Sequence, residues 1–280
     1  MRPIRWLGDD DCHLHEAVGG KAATLSRFAS VHQVPPGFAV AALPAAIASL
    51  PDHLQAEIQR AYNVLSERRG GNDVPVAVRS SAIDEDGAAA SFAGQHDTYL
   101  NVRGALAVVD AVHRCVRSAI SGEALAYRSQ RGIALEDVLI AVLVQELVPS
   151  DVSAVVFSAN PLNGERDEVM INANWGLGES IVGGSSTPDT FIVSKAQFQV
   201  SWRDISHKER MTVLCDNGTA ETDVPLDMRS RPSLDDDQIL RMARLALSLE
   251  EAAGYPVDLE CAIADDVLYL LQCRPITTLG

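Results

Sequence analysis

The stretch that most constrains this chain runs Asp258-Leu-Glu-Cys-Ala-Ile-Ala-Asp-Asp-Val-Leu-Tyr-Leu-Leu-Gln-Cys-Arg-Pro-Ile276. It reads as two strands, 259–264 and 268–274, around Asp265 and Asp266 as turn residues. Most positions in both strands are apolar, which predicts burial on both faces. Glu260, Gln272 and Arg274 interrupt that pattern. Gln272 and Arg274 are two apart and share a face. A three-residue loop pairs Glu260 with Gln272 and joins it to them, whereas a two-residue loop sends Glu260 to the other face. If joined, a carboxylate and an amide oxygen suit Mg²⁺ while the guanidinium takes a phosphate. An Arg–Glu ion pair inside a sheet is the competing explanation.

The rest of the chain supplies an α+β frame. With 280 residues it can bury a large core, as one domain or two lobes. The longest apolar run, 138–148, is rich in β-branched residues and predicts a buried strand, broken abruptly by Gln145 and Glu146. Helical spacing marks 44–69 (with a break at Pro51), 104–120 and 122–130. A last helix is expected from a capping-box-like start at Ser233–Asp236 to a stop at Gly254. Strands and helices mix without strict βαβ alternation, so α+β sheets are expected rather than a doubly wound fold. The polar segment 196–232 reads only as strands and loops.

Charge narrows the partners. The formal net charge of −15 argues against nucleic acid and anionic membrane, both of which need positive patches. A polyanion such as ATP would need a local cluster of Lys and Arg. Five cysteines without metal-type spacing read as reduced thiols, and no run reaches membrane-spanning length, so a soluble cytoplasmic protein is expected. Neither the Gly-x-x-x-x-Gly-Lys-Ser/Thr loop nor the Gly-x-Gly-x-x-Gly turn occurs in its required context. Instead Gly19-Gly-Lys21 precedes an amphipathic segment, which would set Lys21 at a helix N-terminus where an anion is favoured. Taken alone, a lysine beside glycines is better explained as a solvated surface residue. Residues 74–102 outline a strand, a serine pair, a loop of small residues and a return strand, with Arg79 and Thr98 placed to point at one ligand. A mobile connection explains the small-residue loop equally simply.

Taken together, these stretches resemble the N-terminal nucleotide-binding region of the pyruvate phosphate dikinase and phosphoenolpyruvate synthase family, which includes rifampicin phosphotransferases. The matching motifs are Gly-Gly-Lys-Ala-Ala-Thr-Leu (19–25), Val-Pro-Pro-Gly-Phe (34–38), Val-Arg-Ser-Ser-Ala…Glu-Asp (78–86) and Ser-Phe-Ala-Gly-Gln-His-Asp-Thr-Tyr-Leu-Asn-Val (91–102). They continue with Val-Gln-Glu-Leu-Val (144–148), Asp-Val-Ser-Ala-Val-Val-Phe (151–157), Trp-Gly-Leu-Gly-Glu (175–179), Pro-Asp-Thr-Phe (188–191) and the hairpin (258–277). The resemblance implies an ATP-grasp fold with the nucleotide site between two lobes, here 1–145 and 146–280. It implies an ATP-dependent phosphotransferase using Mg²⁺. Lys21 and Arg79 would contact the ATP phosphates, with Thr98 near them. Gln145, Glu146 and Leu147 would form the hinge that meets adenine. Glu260 and Gln272 would hold Mg²⁺, and Arg274 would stabilise the phosphoryl group in flight. Glu179 would be a second acidic contact or a structural acceptor.

In this family the phosphoryl group passes to a histidine on a separate swivelling domain, with AMP and phosphate released. None of the seven histidines here has the sequence context of that acceptor; His96 is the nearest to the implied ligand. The expected partner is therefore a separate chain bearing a phosphohistidine domain. The alternatives are a self-contained small-molecule kinase or ATP-grasp ligase, and a non-catalytic nucleotide-binding module.

Overall fold

The computed structural model describes residues 2–71, 73–83, 98–118, 120, 138–277 and 279. The loop of small residues, His96 and the helix expected over 122–130 lie outside them. The chain divides into two compact units, Met1–Leu147 and Val148–Gly280.

The first unit is built on a five-stranded antiparallel sheet of β1 (Ile4–Trp6), β2 (Gly37–Pro44), β3 (Val76–Ala82), β4 (Thr98–Val102) and β5 (Leu139–Glu146). The strand order is β1-β2-β5-β3-β4, so the most apolar strand lies at the centre. Its alternation sorts the two faces. Ile140, Val142 and Val144 join Val76, Val78, Phe38 and Val40 in one apolar core with α2 (Asp52–Arg68) and α3 (Ala105–Ser118). Helix α2 starts only after Pro51, which fixes the entry φ and lacks a donor; the helical spacing over 44–50 forms no helix. The opposite face carries small residues, Ala39, Ala77 and Ala141, and it receives α1 (His15–Phe28).

The second unit holds a six-stranded antiparallel sheet in the order β13-β12-β6-β7-β8-β9, where β6 is Val152–Phe157, β7 Glu168–Trp175, β8 Asp189–Ser194, β9 Gln199–Asp204, β12 Val257–Ala264 and β13 Val267–Pro275. A short helix, α4 (Glu179–Val182), and a separate hairpin of β10 (Arg210–Leu214) and β11 (Thr219–Asp223) lie between its strands. One face of the sheet, with Leu259, Cys261, Val156 and Ile171, is fully covered and packs against α5 (Asp236–Ala253). Segment 196–232 thus resolves into an edge strand and a bracing hairpin.

Two local expectations change. Helix α5 is capped by Asp235, not Ser233: the Asp235 carboxylate accepts from Gln238 N–H at 2.8 Å and Gln238 Oε1 accepts from Asp235 N–H. Ser233 is drawn instead to Asp189, and its hydroxyl donates to that carboxylate at 2.8 Å. The stop at Gly254 holds, with a left-handed φ of 77°.

The second change concerns the hairpin. Its loop has two residues, with Ala264 paired to Val267 and with Asp265 and Asp266 at φ of 49° and 60°, as a type I′ turn requires. That length alone would pair Glu260 with Leu271. A register shift between Glu260 and Cys261 corrects it, so that Cys261 pairs with Leu270 but Glu260 with Gln272. Leu271 is the additional residue, and the bulge does what a longer loop was expected to do.

Candidate functional site

In the second unit, the bulged register sets Glu260 opposite Gln272 and Asp258 opposite Arg274. Residues two apart share a face and directly paired residues stand side by side, so all four project from one side of the sheet. This is the face away from α5. Gln272 is buried, Glu260 half-buried, and the Arg274 side chain is 42% exposed. The same row continues through Val155, Asn172 and Thr190, where the Thr190 hydroxyl donates to Asn172 at 2.9 Å. Beside it lies an apolar group of Val148, Ala262, Ala264, Tyr269 and Leu271.

In this hairpin Arg274 pairs with Asp258. Arg274 Nε and Nη2 both lie 2.8 Å from the same oxygen, Asp258 Oδ2. Burial raises the Asp258 pKa above its ordinary value; the adjacent guanidinium opposes that shift and Glu260 adds to it. Asp258 went unassigned at the sequence level, although its spacing from Glu260 was the signal that could have found it. Pairing with one oxygen orients Arg274, whose side chain is 42% exposed.

Glu179 is exposed at the first position of α4. The glycine corner before it is braced from outside the sheet. Leu177 N–H donates to Thr212 O at 2.8 Å, and a Cβ on Gly176 would stand 2.3 Å from that oxygen. Asn174, fully buried, donates to Ser180 Oγ and Arg210 O. Segment 196–232 therefore frames the corner that carries Glu179.

In the first unit, Arg79 and Gln145 point to the α1 face, each two residues from a neighbour on that face, Ser81 and Leu143. Thr98 is paired directly with Arg79 across β3 and β4. Helix α1 is broken at Gly19 (φ 73°, ψ 171°), which makes Lys21 part of the first turn of the segment that follows. Ala22 N–H in the same turn donates to Ser81 Oγ at 3.2 Å, tying it to β3. Lys21, Arg79, Thr98 and Gln145 thus belong to one side of this sheet. Gln145 is buried, and its amide donates to Pro35 O at 3.1 Å. The Glu146 side chain goes to the opposite side, where Arg69 Nε donates to its Oε1 at 2.7 Å. The backbone of the expected hinge is also engaged, Glu146 N–H donating to Pro36 O and Leu147 N–H to Pro75 O.

Among the described residues no three His, Cys, Asp or Glu side chains are grouped for a metal. A carboxylate and an amide oxygen side by side form a smaller donor set. Hard oxygen ligands of that number fit Mg²⁺, which keeps several of its waters and takes few protein ligands. No helix among the described residues is long and apolar enough to cross a membrane.

These features define an α+β protein, and comparison with known proteins places it. The family described as pyruvate phosphate dikinase, AMP/ATP-binding domain, matches residues 46–280. A probable phosphoenolpyruvate synthase of Methanocaldococcus jannaschii is 44% identical over 233 residues, covering 83% of this chain and 20% of that protein. An uncharacterized phosphotransferase of Bacillus subtilis is 40% identical over 228 residues, covering 81% of this chain and 27% of its own length. A rifampicin phosphotransferase of Streptomyces sviceus is 39% identical over 232 residues, covering 82% and 26%. The chain belongs to the pyruvate phosphate dikinase AMP/ATP-binding family, and its architecture is α+β. It spans only a fifth to about a quarter of the length of these relatives.

Proposed function

We propose that this chain is an ATP-dependent phosphotransferase component that binds Mg-ATP and passes a phosphoryl group to a histidine on a separate partner chain, with AMP and phosphate released. The observation that carries this reading is the bulged hairpin. It sets two oxygen donors side by side and next to them an arginine held by one carboxylate oxygen. Phosphoryl transfer asks little covalent chemistry of the protein; positioning and charge neutralisation dominate. Glu260 and Gln272 would hold Mg²⁺, which when bound neutralises phosphate charge. Arg274 would stabilise the transferring group. Lys21 and Arg79, with Thr98, would contact the phosphates. Gln145 would meet adenine with the Glu146 and Leu147 backbone, since the Glu146 carboxylate is engaged by Arg69. Glu179 would be a further acidic contact. The names of the relatives support the chemistry: they include phosphoenolpyruvate synthases and phosphotransferases, all much longer than this chain.

Phosphorus NMR of the purified chain with Mg-ATP tests the proposal, alone and with a histidine-domain protein encoded nearby. AMP and phosphate appearing only with the partner is the expected result. ADP formed by the chain alone, or with a small hydroxyl or carboxylate substrate, would replace it with a kinase or ligase. Bound ATP without turnover in any sample would leave a nucleotide-binding module.

A further inference from the structure

We propose that Ser81 is a positioning residue for Lys21, its hydroxyl fixing the helical turn that carries the lysine onto the strand that carries Arg79. The first N–H groups of a helical segment have no partner within it. After the break at Gly19 the first turn is Gly20, Lys21 and Ala22, and Ala22 N–H finds its acceptor in Ser81 Oγ. The hydroxyl acts as an N-cap does, but it comes from a strand 59 residues further along the chain. Ser81 is fully buried, so water offers this N–H no easy substitute. Gly19 closes the same contact from the other side: a Cβ there would fall 1.9 Å from the Ser81 carbonyl oxygen. Glycine is thus required twice, for its left-handed φ and for this approach.

Ser81 stands two residues from Arg79 and on the same face. The group that anchors the Lys21 turn and the second cation therefore share one rigid strand end. An ammonium and a guanidinium repel each other, so their spacing has to be held by backbone rather than by mutual attraction. A ligand carrying several negative charges is what such a spacing serves. The inference rests on the assignment of Lys21 and Arg79 to the ATP phosphates.

The test is calorimetric titration of the whole chain with Mg-ATP and with adenosine, for wild type, Ser81→Ala, Lys21→Ala and the double variant. Ser81→Ala is expected to weaken Mg-ATP about tenfold, the scale of one hydrogen bond. Adenosine affinity should stay within about twofold, and on the Lys21→Ala background Ser81→Ala should add less than about twofold. Equal losses for ATP and adenosine, unchanged ATP affinity, or full additivity in the double variant would each overturn the role. Exchange of the Ala22 amide, slow in wild type and faster in Ser81→Ala, reports the hydrogen bond without any nucleotide. A wild type that shows that protection yet binds no Mg-ATP would overturn the phosphate assignment and this role with it, while leaving the bond itself in place.

Discussion

Two ion pairs in the second unit look alike by chemistry and differ in what surrounds them. Lys208 and Asp189 are both fully buried, 2.6 Å apart. Asp189 Oδ1 also accepts from Ser206 N–H, and Oδ2 accepts from both Ser233 N–H and Ser233 Oγ. Lys208 donates in addition to Ser206 O. All of these partners come from the protein, and together they fasten the end of β8 to segment 206–233. Arg274 and Asp258 are arranged otherwise. Arg274 meets one oxygen of Asp258, and its side chain is 42% exposed. The closed pair acts as a structural clasp, whereas the proposed function puts the more exposed one at the ligand. Burial separates the two where residue type cannot.

Breaking the clasp should give the largest effect. Asp189→Ala leaves a buried ammonium with one carbonyl partner, and loss of one member of a buried pair costs about 3–5 kcal/mol. Chemical denaturation measures it, and a loss below about 1 kcal/mol would contradict the clasp. Replacing both members by apolar residues, Asp189→Leu with Lys208→Met, should recover much of the stability lost by the single variant, because no unpaired charge remains.

Arg274→Ala should invert the pattern. Turnover should fall by about 10²-fold or more while ATP affinity stays within a few-fold, the scale for removing one charge-stabilising donor. Equal turnover in variant and wild type would remove Arg274 from the chemistry and make the two pairs equivalent. A large fall in stability instead would make Arg274–Asp258 a second clasp.

Proton linkage sharpens the same contrast. The folded-state pKa of Asp258 is raised, chiefly by burial. A raised carboxyl contributes stability that is fully present below its unfolded pKa and lost as pH rises through its folded one. Unfolding free energy should therefore decline across that window in the wild type, and Asp258→Asn should flatten the decline. Arg274→Ala removes the charge that holds this pKa down, so the window should extend to higher pH. Identical pH profiles for wild type and Asp258→Asn would mean that the carboxyl is not perturbed in the folded state.

Much of this architecture was legible because it is periodic. The run 138–148 became the central strand β5, and the spacing of Ile239, Met242, Leu245 and Leu249 became the buried face of α5. The residues of the hairpin were legible as a group, but their register was not. Turn length is a local property, whereas the bulge at Leu271 depends on how two strands meet, and it reversed the rule inferred from loop length. The Asp189–Lys208 clasp was invisible for a related reason. Its members lie 19 residues apart, and Ser233 joins from 44 residues beyond Asp189, with no spacing rule connecting them. Asp258 was in plain view two residues before Glu260, but only the register puts Arg274 beside it.

The smallest expected effect concerns the two serine and aspartate patterns before α5. Ser233-x-x-Asp236 and Asp235-x-x-Gln238 both fit a capping box, and tertiary context chose the second because Asp189 engages Ser233. Asp235→Ala should therefore cost about 1 kcal/mol, as loss of an N-cap side chain does. Ser233→Ala should act through the clasp instead: it removes the hydroxyl donor while the Ser233 N–H remains. Its cost, about 1–2 kcal/mol for one hydrogen bond to a charged acceptor, should disappear on an Asp189→Leu, Lys208→Met background. The Asp235→Ala cost should persist there unchanged. Denaturant midpoints of wild type, Asp235→Ala and Ser233→Ala, each on both backgrounds, measure the difference. If Ser233→Ala kept its cost after the clasp was removed, Ser233 would belong to the helix start and not to Asp189.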